Sequence, residues 1–96
     1  MYTASVSGMS AADLLLSATA DNIANLDSDG YSPWRVNMAA QPGGGVSASA
    51  TKAPDPGVDL VDEMVGLISG SLLYRANARA FTVGASTEQS LFDALA

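Results

Sequence analysis

The segment Asn25-Leu26-Asp27-Ser28-Asp29-Gly30 sets oxygen-bearing side chains at alternate positions and follows them with glycine. A calcium-binding loop of the EF-hand type begins this way. Counting Asn25 as the first position, Asp27 and Asp29 fall on the third and fifth and Gly30 on the sixth. The ninth is Pro33, and the twelfth, where a bidentate glutamate closes the cage, is Val36. An incomplete set of oxygens leaves weak binding of a hard cation at best. Asn25, Asp27 and Asp29 are thus a weak metal candidate, and the segment reads chiefly as a helix stop, with Gly30 supplying the positive φ that closes it.

A second acidic group, Asp59, Asp62 and Glu63, has the composition of paired carboxylates for acid–base work. Its place in the first turn of a helix, at the positive end of the dipole, already accounts for it. No nucleophile or oxyanion donor stands near it in sequence. The chain has no histidine and no cysteine, which removes the usual zinc ligands, His-based triads, disulfides and the commonest general base. No cofactor is called for, and the expectation is that the chain is not an enzyme. Arg75 and Arg79 are like charges one helical turn apart, a mildly unfavourable pair. They are either solvated or meet an acidic neighbour in an assembly. Asn22, Asn25 and Asn77 lie on or near apolar faces, either as exposed or capping residues or as hydrogen-bonding groups that set helix register.

Two helical segments must position these residues. The first spans 3–26, where Met9, Ala12, Leu16, Thr19, Ile23 and Leu26 recur at spacings of three and four, and Tyr2 and Val6 extend the face. The second spans 58–95 and carries a heptad seam of Leu60, Met64, Leu67, Ser71, Tyr74, Ala78, Phe81, Ala85, Glu88, Phe92 and Leu95, with a second stripe of Val61, Val65, Ile68, Leu72, Ala76 and Val83 beside it. Between them, 27–57 holds all four prolines and Gly43-Gly44-Gly45, a linker composition. At most a short β-hairpin forms there, from Trp34–Met38 and Val46–Ala48. The expected fold is all-α: one domain over 1–96, with two long helices paired as an antiparallel coiled-coil-like hairpin. Ile23 should lie near Val61, and Leu16 near Ile68.

Composition limits the partners. The 96 residues carry a net charge of −6 with only four basic side chains, no cation cluster for nucleic acid. The apolar runs are too short to span a bilayer, so no direct membrane insertion is expected. The absence of Lys and Arg before Arg35 leaves no cationic region for a cleavable secretory signal. Helices of roughly 35 and 55 Å leave the second apolar stripe uncovered, and an uncovered stripe of that kind implies partners. With alanine dominating the apolar share, two helices alone are expected to be marginal and partly disordered until neighbours cover that stripe.

Gly8-Met9-Ser10-Ala11-Ala12, then Ala20-Asp21-Asn22-Ile23-Ala24-Asn25 and Gly30-Tyr31, resembles the N-terminal signature of bacterial flagellar rod and hook (axial) proteins. Val58-Asp59-Leu60-Val61-Asp62-Glu63-Met64-Val65 and Tyr74-Arg75-Ala76-Asn77-Ala78 resemble that family's C-terminal signature, most nearly in a minimal proximal-rod-like form. The resemblance covers about 5–31 and 57–95. It departs from the pattern at Asp21, at Leu26–Asp29 and at Ser69–Leu73, and the chain lacks a β-rich domain between the helices. The resemblance implies packing and assembly roles, not catalysis, for Asn22, Ile23, Asn25, Gly30 and Tyr31, and for Asp59, Leu60, Val61, Met64, Val65, Tyr74, Ala76 and Asn77. It implies a structural subunit of the basal-body rod in the periplasm, exported through the flagellar type III apparatus without signal cleavage. Its partners would be other rod and hook subunits, or further copies of itself. The alternatives are a regulatory or capping paralogue docking on rod proteins and, from another class, a small calcium-responsive helical binding protein.

Overall fold

The computed structural model describes residues 2–96, Tyr2 by its backbone only, so the side chain expected to extend the first apolar face lies outside the described residues. The element order is α1 (Tyr2–Ala24), β1 (Trp34–Ala40), β2 (Val46–Lys52) and α2 (Leu60–Leu95). The principal extents are 63 × 24 × 14 Å, set by the length of α2.

The expected all-α fold is not what forms. The middle of the chain is a two-stranded antiparallel sheet, paired without interruption from Trp34↔Lys52 to Ala40↔Val46. Both strands run past the short hairpin expected from Trp34–Met38 and Val46–Ala48, and low β propensity masks that length, because β2 is Val-Ser-Ala-Ser-Ala-Thr-Lys. What makes the hairpin is its turn and its anchors. Gly43, Gly44 and Gly45 all take positive φ, of 89°, 105° and 89°, which residues with a Cβ adopt only at a cost. Gln41 N–H donates to Gly45 O, closing the loop. Alternate residues Val36, Val46, Ala48 and Ala50 are half-buried while Arg35, Asn37, Ser47, Ser49 and Thr51 face solvent, the period-two pattern of a sheet covered on one face. The covering element is α1, through its buried Ala11 and Ala18.

The helices run antiparallel in a definite register. The Asn22 side chain reaches Glu63, while a Cβ at Gly66 would meet Thr19 and one at Gly70 would meet Leu16. Near the other end Gly8 lies against the Asn77 amide. The register is thus one to two residues from Ile23 opposite Val61 and Leu16 opposite Ile68.

The phase of α2 is the larger correction. The side that faces α1 is Glu63, Gly66, Gly70, Leu73 and Asn77, a heptad in which Leu73 is the one large apolar residue. The expected seam and the second stripe flank it, and both are largely open to solvent: Met64 is 52% exposed, Val61 68% and Ile68 63%. Glycines let the two backbones approach, since a Cβ at Gly70 would sit 2.9 Å from Leu16 Cδ2. The glycines of α2 leave room for Leu15 and Leu16 of α1 to lie against its backbone. With a register that sets Gly8 against Asn77, α1 begins near the level of Val83, and the last three turns of α2 run on beyond it.

Candidate functional site: the helix junction and the outer face of α2

α1 ends in a run of turns in which Asn25 Nδ2 donates to Asp21 O at 2.9 Å and Ser28 Oγ donates to Asn25 Oδ1 at 3.1 Å. Gly30, at φ 72°, turns the chain back. Asp27 and Asp29 are exposed, and among the described residues no group of three acidic, His or Cys side chains is placed to hold a metal ion. Asn25 is thus committed to the turn itself.

The turn delivers Tyr31 and Trp34 to Asn22, which is 1% exposed. Every polar atom of the Asn22 amide is used. Nδ2 donates to Glu63 Oε1 at 2.7 Å and to Trp34 O at 3.0 Å. Oδ1 accepts from Trp34 N–H at 2.7 Å and from the Tyr31 hydroxyl at 3.1 Å. One side chain therefore joins α1, the loop, β1 and α2. Glu63, also buried, turns its other oxygen to Arg35 Nη1 at 3.6 Å. A buried carboxylate without such partners would be costly.

The rim of this junction is aromatic and basic. Lys52 Nζ lies 3.9 Å from the Tyr31 ring centre and 4.5 Å from that of Trp34, and donates to Ser32 O at 2.9 Å, a cation–π clamp on the base of the hairpin. Trp34 Nε1 donates to Asp21 Oδ2 at 3.1 Å. Gly57 N–H donates to Tyr31 O, leading the chain into α2. The Asp59 carboxylate caps α2, accepting from Val61 and Asp62 N–H. At the far end of the hairpin Ser7 Oγ accepts from Val46 N–H at 3.0 Å.

The family-implied positions divide between two places. Asn22 and Tyr31 meet in the junction, Asn25 and Gly30 form the turn before it, and Ile23 is half-buried. Asn77 faces Gly8 and donates to Leu73 O. Asp59 caps, while Leu60, Val61, Met64, Val65, Tyr74 and Ala76 are exposed on α2. Glu63, Trp34, Arg35, Lys52 and Ser7 are contributors that sequence reasoning had not assigned to a site. Glu63 stood in plain view as a first-turn acid, but only its position on the α1-facing heptad distinguishes it from Asp62. The surface depressions are shallow and open, lined by such residues as Leu14, Trp34 and Ala50.

These features define an elongated helical module with a hairpin collar, closed at one end by a buried polar junction and bearing an apolar outer face. A family model described as flagella basal body rod protein matches residues 1–31, that is α1 and the turn through Tyr31. The match supports a member of the flagellar rod family, a structural family of the flagellar basal body. A comparison of the sequence with curated proteins gives no match. Among the described residues no helix is long and apolar enough to cross a membrane.

Proposed function

We propose that this chain is a structural subunit of the flagellar rod that assembles by packing the outer face of α2 against neighbouring subunits. The observation that carries the reading is the phase of α2. The heptad of Glu63, Gly66, Gly70, Leu73 and Asn77 is spent within the chain, while Leu60, Val61, Met64, Val65, Ile68 and Leu72 all face outward. An apolar band of that length on a small protein is a contact surface. Neighbours meeting it through unlike surfaces generate an open helical tube rather than a closed ring.

The family-implied residues take two roles in this reading. Asn22, Asn25, Gly30, Tyr31, Asp59 and Asn77 fix the subunit's own shape. Ile23, Leu60, Val61, Met64, Val65, Tyr74 and Ala76 supply packing surface. Export through the flagellar type III apparatus without a cleaved signal, and a periplasmic position in the rod, belong to the same proposal. Quantitative mass spectrometry of purified hook–basal bodies tests it. Amounts comparable to those of known rod subunits are expected; absence from the particles, with the protein present in whole cells, would reject it in favour of a regulator that docks on rod proteins.

A further inference from the structure

The turn that carries the chain from α1 to Tyr31 holds a reactive pair as well as a shape. Asp29 is exposed, and among the described residues neither its carboxyl group nor Gly30 N–H has a hydrogen-bond partner. The turn is closed one residue later, where Tyr31 N–H donates to Ser28 O at 3.3 Å. Gly30 has nothing within 4 Å of where a Cβ would stand, so no side chain screens its nitrogen or restricts the backbone around it. A carboxyl group followed by an unscreened, unbonded backbone nitrogen supplies both reactants of succinimide closure.

The other aspartates lack one feature or another of this pair. Asp27 is exposed as well, but the nitrogen it would need belongs to Ser28, whose N–H donates to Asn25 O at 3.0 Å. Asp13, Asp21, Asp62 and Asp93 lie inside α1 and α2, where the following N–H is held in the helical ladder. Asp59 commits its carboxylate to the cap of α2. Asp55 precedes Pro56, which has no N–H.

We infer that Asp29-Gly30 is a site of spontaneous isoaspartate formation, and that the conversion loosens the junction beside it. Gly30 N attacks Asp29 Cγ; the N–Cγ bond forms, and the carboxyl hydroxyl departs with the amide proton as water, which closes a succinimide. Water then adds to one of the two ring carbonyls. Opening at Cγ restores aspartate. Opening at the Asp29 backbone carbon leaves Gly30 joined through Cγ and turns the former backbone carbonyl into a free carboxylate. Nothing besides water takes part, and mass and charge are unchanged. The product carries one more carbon in the backbone between Asp29 Cα and Gly30. Next along the chain is Tyr31, whose hydroxyl donates to Asn22 Oδ1 at 3.1 Å and whose carbonyl accepts from Gly57 N–H at 2.9 Å. Both contacts depend on the path of this turn, and the lengthened backbone displaces Tyr31 from them. The chemistry belongs to the chain itself and stands apart from its place in a rod.

The full chain is aged for weeks at neutral pH and physiological temperature, and isoaspartate is located by peptide fragmentation and by labelling with an isoaspartyl carboxyl methyltransferase. Isoaspartate at Asp29 is expected in at least about fivefold excess over Asp27, since an ordinary hydrogen bond on Ser28 N–H withholds that nitrogen by roughly this factor. The isoaspartyl fraction, resolved by chromatography, should melt about 4–8 °C below the unaged chain, the shift that one lost hydrogen bond produces in a chain of this size. Asp29→Glu, whose ring would be one atom larger and closes far more slowly, should show neither change on ageing. Equal isoaspartate at Asp27 and Asp29, or none at Asp29, would overturn the site. An isoaspartyl fraction with unchanged Tm, or an equal loss of Tm in aged Asp29→Glu, would overturn the link to the junction.

Discussion

Asn22 has two amide hydrogens and two carbonyl lone-pair directions, and the junction uses all four. A buried group that is fully bonded specifies one geometry, and removing it exposes several partners at once to desolvation without compensation. Asn22→Ala would leave Trp34 N–H and the Tyr31 hydroxyl without their acceptor, and a buried Glu63 with only the distant Arg35. We expect a loss of about 2–4 kcal/mol, read by urea or thermal unfolding. Asn25→Ala serves as the comparison, because its amide bonds only to exposed turn groups. It should cost about 0.5–1 kcal/mol. Equal effects of the two substitutions would mean that the junction does not hold the helices. In sequence, Asn22 was legible as a register-setting asparagine, one of two readings open to it. Its partners were not, because Trp34 and Glu63 are 12 and 41 residues away, and nothing local announces contacts over such separations.

At the scale of elements, periodicity and phase carry different information. The three-and-four spacing of α2 was legible, yet the most apolar stripe is not the one that meets α1. Counting hydrophobic positions finds the stickiest face. In the proposed assembly, that face belongs to neighbouring subunits. The intrachain face is instead marked by Gly66 and Gly70, four residues apart and opposed by Thr19 and Leu16. Close approach should therefore be testable by adding single methyl groups. Gly8→Ala improves helix propensity by about 1 kcal/mol, but its Cβ would collide with the whole Asn77 amide, and overpacking costs about 1–3 kcal/mol. Net destabilisation is expected, and Asn77→Ala in the same chain should recover most of it. A double-mutant cycle with no coupling would rule out the contact as the cause. The hairpin was legible in place but not in extent. Its glycine turn and alternating Trp34, Val36, Met38 pattern were present, but strands of alanine and serine lack the β-branched run that ordinarily marks them. They hold because α1 covers them and because Ser7, Asn22 and Lys52 pin them. An isolated two-stranded ribbon would be marginal.

For the whole molecule, the question is what keeps so open a structure folded. Among the described residues the buried apolar side chains are Ala11, Ala12, Ala18 and Pro33, and each alanine returns far less than the roughly 1.5–3 kcal/mol of a large buried side chain. Ordering the backbone costs about 1–2 kcal/mol per residue. The junction and the hairpin anchors supply specificity, but net hydrogen-bond gains near 1 kcal/mol each cannot replace a core. Under the proposed assembly, the exposed stripes of α2 add to stability once another chain covers them. Binding to the folded form alone pulls folding forward by mass action. Mean residue ellipticity of the wild-type chain should accordingly rise with protein concentration. Val61→Lys combined with Ile68→Lys should abolish that rise while leaving the dilute-limit ellipticity nearly unchanged, since both positions are already exposed in the single chain. A concentration-independent signal that the double substitution does not alter would show that the fold stands alone, and that the outer face of α2 is not what completes it.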